Sequence, residues 1–131
     1  MNGNMLTPEE LKIVRDLILL PYLDTMVAKS LKEVELSSNV LNRTYMTAGR
    51  YIQKRIIQDS YQLRQQLKQR NIKIVEDSHE DFVTYNMIYF RGYQQRFGLT
   101  RDVMRTEISL RLTKYTTELG NALNENRRPR Q

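Results

Sequence analysis

The chain of 131 residues has no cysteine and no tryptophan, a single histidine, three prolines and five glycines. Without cysteine it can have no disulfide scaffold, thiol nucleophile or thiolate metal site, and it suits a reducing compartment. So few Gly and Pro leave little material for the many tight turns of a sandwich or barrel. The longest unbroken apolar stretch, Leu17–Leu20, falls far short of the ~20 residues that cross a bilayer. The first residues show neither the basic start nor the small-residue cleavage site of a secretory signal. The expectation is a cytoplasmic protein with no membrane partner.

Catalytic raw material is equally sparse. Gly3, Gly49, Gly92, Gly98 and Gly120 are scattered and form no phosphate loop. His79 stands in Glu76-Asp77-Ser78-His79-Glu80-Asp81. That cluster could hold a divalent metal weakly, but its spacing matches neither a Ca²⁺ loop nor a two-His zinc pattern. It reads better as an acidic helix start. Helical bundles that do metal chemistry carry inward Glu and Glu-x-x-His pairs, and none occurs here. A non-enzymatic protein follows, with no catalytic residue, metal or cofactor assigned.

What is present is helical periodicity. Forty per cent apolar residues supports a core and one domain, which buries roughly two-thirds of its unfolded surface at this length. Thr7-Pro8-Glu9-Glu10 is a helix start: Thr7 caps, Pro8 suits the first position and Glu10 closes a capping box. The first helix runs to about Leu36, and Pro21 must kink or split it because it removes a backbone donor. From Val40 to Arg70, Leu41, Tyr45, Ala48, Ile52, Ile56, Leu63 and Leu67 form a near-unbroken helical stripe. Asn71 stops this helix, and Ile72–Val75 alternates like a strand but reads as an extended connector for want of a partner.

A third helix is expected from Ser78 to Gly98, with Phe82, Tyr85, Tyr89, Tyr93 and Phe97 on one face. Adjacent Tyr89 and Phe90 cannot both enter one core, which suggests extra apolar surface and oligomerisation. Thr100 caps a fourth helix carrying Met104, Ile108, Leu112, Tyr115 and Leu119. The reading is an all-α, antiparallel four-helix bundle with a Pro-kinked first helix, over residues 1–124. A flexible, disordered basic tail follows over 125–131, with Arg127, Arg128 and Arg130.

Charge is concentrated in one element. The chain carries a net +6, and residues 40–70 hold seven Lys and Arg against Asp59 alone. At 100° per residue, Arg43, Arg50, Lys54, Arg64 and Lys68 point opposite the apolar stripe, with Ile57 and Tyr61 between them. Three readings of this face are open. Its cations could grip phosphates while Tyr61 stacks a base. It could be a surface for a protein partner or a second copy, with a small apolar centre. It could be simply solvated, with Lys and Arg stems covering Ile57 and Tyr61.

The order of features carries a resemblance. Leu6-Thr7-Pro8-Glu9-Glu10, the break at Leu19-Leu20-Pro21, the long basic helix, Arg70-Asn71-Ile72-Lys73-Ile74, an acidic turn and Tyr89-Phe90-Arg91-Gly92-Tyr93 follow in turn. Over roughly residues 6–120 this resembles the small YhjD-like proteins of spore-forming Gram-positive bacteria. The resemblance implies a cytoplasmic helical protein linked to sporulation, and it supplies no catalytic residues to carry over. The expected function is a small, self-associating interaction protein using the outer face of the second helix. The alternative is a nucleic-acid-binding protein of low specificity using that same face.

Overall fold

A computed structural model describes residues 5–127. The element order is α1 (Pro8–Glu35), α2 (Asn42–Gln69), β1 (Ile72–Glu80), β2 (Val83–Phe90), β3 (Tyr93–Thr100) and α3 (Arg101–Arg127). The protein is therefore α+β, with three helices and an antiparallel sheet in the order β1-β2-β3. The four-helix bundle and the all-α class are overturned by this sheet.

The helix starts follow local chemistry. Thr7 Oγ1 accepts from the Glu10 backbone N–H at 3.1 Å, and Glu10 Oε1 accepts from the Thr7 N–H at 2.9 Å. This is a complete capping box. α1 then passes Pro21 as one helix, with Thr25 Oγ1 donating to the Pro21 carbonyl at 3.0 Å. In the connection to α2, Asn39 Oδ1 accepts from the Leu41 N–H at 2.7 Å, and the Asn42 amide donates to the carbonyls of Val34 and Ser37. Asn71, at φ 56°, ends α2 in the left-handed region that Asn tolerates. Thr100 Oγ1 accepts from the Val103 N–H at 3.2 Å and so caps α3 as its position in the sequence implies.

The expected third helix is instead β2 and β3, and the expected connector is the start of β1. Ile72 pairs with Phe90 and Ile74 with Ile88, so Ile72–Val75 has its partner in the segment read as helical. Aromatic residues at steps of three and four mimic a helix face there. The true period is two: Asn86, Ile88 and Phe90 are buried while Tyr89 is exposed. An asparagine in the buried row hides that alternation. Arg91 and Gly92 both take positive φ, 48° and 79°, as a two-residue hairpin of the favoured hand requires. Ser78 and His79 lie in β1, where His79 Nδ1 meets Thr84 Oγ1 across the hairpin at 3.1 Å. Gly98, read as a helix stop, lies within β3.

One sheet face packs on the helices. Ile13, Val14 and Ile18 of α1, Leu67 of α2, and Ile72, Ile88, Phe90 and Leu99 of the sheet form the first core cluster. Leu20 and Leu23 of α1, Ile52 and Ile56 of α2, and Tyr115 of α3 form the second. Leu63 and Ile108 pack against both. The helix of α3 continues through Arg127, into the stretch expected to be disordered. Arg128 and Arg130 lie outside the described residues.

Candidate functional site

The outer face of α2 is displayed as its periodicity implies. Arg43, Arg50, Lys54, Ile57, Tyr61, Arg64 and Lys68 are all exposed. Ile57 and Tyr61, at 67% and 63% exposure, are not covered by neighbouring stems. From Arg43 to Lys68 the row is about 38 Å long at 1.5 Å per residue. Among the described residues, none of its five cations forms an ion pair with an Asp or Glu.

The face stays uncompensated because the helix's one acid is turned inward. Asp59 is buried and receives three donors. Tyr115 Oη donates to Asp59 Oδ2 at 2.6 Å, Arg111 Nη1 to the same oxygen at 3.3 Å, and Arg55 Nη1 to Oδ1 at 3.2 Å. Arg111 also pairs with buried Asp16 of α1 at 2.9 Å, and Arg55 with Glu118 of α3 at 2.8 Å. Arg15 adds pairs to Asp16 and Glu107 at 3.3 and 3.5 Å. Burial, then the hydrogen bond to Asp59, raises the Tyr115 phenol well above its ordinary value. This cluster joins all three helices. Arg55 belongs to the basic helix but to its inner side, and its partners hold its charge.

The cluster had little signal in the sequence. Asp59 is visible as a lone acid in a basic helix, and it falls on the apolar side of the wheel. Its partners on another helix are Arg111 and Tyr115, and the rest of the cluster comes from residues 15–16, 107 and 118, so only the packing of α3 on α1 and α2 identifies them. Tyr85, Tyr89, Tyr93 and Phe97, expected on one helix face, do not share one sheet face. Phe90 faces the core, Tyr89 is exposed on the other sheet face, and Tyr85 lies under Arg96, whose guanidinium carbon is 3.9 Å from the ring centre.

A second charged junction fastens the first helix to the sheet. Arg91, in the β2–β3 turn, donates to both Glu10 oxygens at 2.9 and 3.1 Å, and Arg70 pairs with Glu9 at 3.1 Å. The Arg91 hydrogen bonds hold the buried Glu10 carboxyl below the ordinary glutamate range. Among the described residues no group of three or more His, Asp or Glu gathers as a metal site. None of their helices is long and apolar enough to cross a membrane.

These elements and that outer face are those of a small α+β protein with a basic helix laid across one side. The chain belongs to the YhjD protein family, whose model matches residues 5–120. No curated protein and no solved structure matches it.

Proposed function

We propose that this protein is a non-enzymatic interaction module that uses the outer face of α2 to dock a protein partner with an acidic surface. The observation that carries this reading is the inward turn of Asp59, which leaves a row of cations around exposed Ile57 and Tyr61. An apolar centre within a charged rim is how protein interfaces are built. Self-association through this face in a two-fold dimer sets cation against cation, a juxtaposition that costs affinity. An acidic partner removes that cost.

Nucleic acid is the second reading, favoured by the uninterrupted positive charge of the row and the chain's net +6. One experiment separates the two. A photo-crosslinker at position 57 is used in extract of the source cells, beside anisotropy titrations of labelled oligonucleotides at low and moderate salt. Both are repeated with a variant in which Arg50, Lys54, Arg64 and Lys68 become Glu. A nuclease-resistant protein adduct that the charge reversal abolishes supports the protein partner. Oligonucleotide binding that collapses with salt and vanishes in the variant puts nucleic acid first. If neither appears, the face is solvated surface and the proposal fails.

A further inference from the structure

A cleft of about 710 Å³ lies between the middle of α1, the last turns of α2 and the edge strand β1. That volume is within the ~300–1,000 Å³ typical of small-molecule sites. Its apolar lining comes from Leu17 and Ile18 of α1, Leu67 of α2, and Ile72 and Ile74 of β1. We infer that it binds an amphipathic anion: an apolar chain or ring system with one carboxylate or phosphate end.

Two observations support a ligand here. Arg64 and Lys68 stand on the α2 side of the cleft, exposed and without an ion pair among the described residues. They offer charge to an anionic group where the apolar lining meets solvent. Deeper in the cleft, Asn86 is only 4% exposed, and its side-chain amide has no hydrogen-bond partner among the described residues. Yet no fully enclosed side-chain polar atom there is left unpaired. The amide of Asn86 must therefore keep its sliver of accessible surface, and the surface it lines is this cleft. Buried amides normally have partners, so Asn86 is a group waiting for a water or a ligand.

The remaining charges set a direction. Glu76 lies opposite Asn86 in the β1–β2 register and forms no ion pair among the described residues. Asp77 is held by Arg96 at 3.0 Å. Lys73 is a further cation beside the cleft. An anionic end is drawn to Arg64 and Lys68 and repelled from Glu76, so the ligand lies with its charge at α2 and its body on the apolar lining.

This site shares Arg64 and Lys68 with the docking face but is otherwise separate from it, and the test keeps the two apart. Calorimetric titrations of the full chain use octanoate, 1-octanol and inorganic phosphate as probes. Octanoate is expected to bind at least tenfold more tightly than either of the others. The variant R64E/K68E should lose tenfold or more in octanoate affinity, and E76Q should gain affinity. The pair R50E/K54E, which disables the docking face alone, should leave octanoate binding intact. Octanoate binding no tighter than octanol would reveal a merely apolar groove and overturn the proposal. Indifference to both R64E/K68E and E76Q would also overturn it.

Discussion

The phenol of Tyr115 on α3 donates a 2.6 Å hydrogen bond to Asp59 Oδ2 on α2, and Tyr115 is fully buried. This bond joins the least anchored helix to the most basic one. Removing it should be felt in stability. Tyr115→Phe leaves Asp59 with its two arginines and should cost about 1 kcal/mol, the net worth of one hydrogen bond. Asp59→Ala leaves Arg55 and Arg111 short of a partner and should cost about 3 kcal/mol. Urea unfolding followed by circular dichroism measures both, and a neutral Asp59→Ala would show that the cluster does not hold α3.

The same phenol gives stability an alkaline limit. Folding raises its pKa, through burial first and Asp59 second. A group raised in the folded state stabilises below its unfolded pKa, about 10 for Tyr, and that contribution is lost as pH rises further. Wild-type stability should fall above about pH 10, with a smaller fall in Tyr115→Phe. Parallel curves for the two proteins would refute the assignment.

Glu10 sets the acid side. Arg91 holds its carboxyl low, so its contribution is full above the ordinary glutamate pKa of about 4.3 and is lost as pH falls through the lower folded value. Glu10→Gln should remove part of the acid-induced loss between about pH 5 and 3 and cost about 1–3 kcal/mol at neutral pH. Chemical unfolding across that pH range reads both effects.

Neighbouring cations on α2 should differ sharply. Lys54→Glu changes an exposed side chain without an ion pair and should stay within about 0.5 kcal/mol of wild type. Arg55→Glu faces Asp59 and Glu118 with like charge and should cost several times more. Equal effects in thermal unfolding would contradict the inward and outward assignment of the two positions.

Gly49 of α2 packs against Leu31 of α1. A Cβ there would run into the Leu31 side chain, so Leu31 must move. Gly49→Ala should cost about 1–3 kcal/mol from overpacking. Adding Leu31→Ala makes room and should expose the roughly 1 kcal/mol helix preference of Ala over Gly. A double-mutant cycle that shows no coupling would rule out the contact.

The helix boundaries near Thr7, Asn71 and Thr100, and the outer face of α2, were legible because caps and a 3.6-residue period act within a few residues of sequence. Residues 78–97 were not, because aromatic spacing satisfied a helix while Asn86 interrupted the alternation that marks a strand. Ile72–Val75 lacks a visible partner in the sequence because the aromatic spacing of that partner, β2, imitates a helix.

The sequence by itself determined the start of α1, the extent of α2, the cap of α3 and the outward direction of Arg43, Arg50, Lys54, Arg64 and Lys68. Local hydrogen bonds and one helix's geometry suffice for these. The tertiary structure alone decided that the middle of the chain is a sheet, that Asp59 is held by Arg111 and Tyr115 of another helix, and that Asn86 opens on a cleft. Each of these depends on groups tens of residues apart, and which groups meet is decided only when the elements pack.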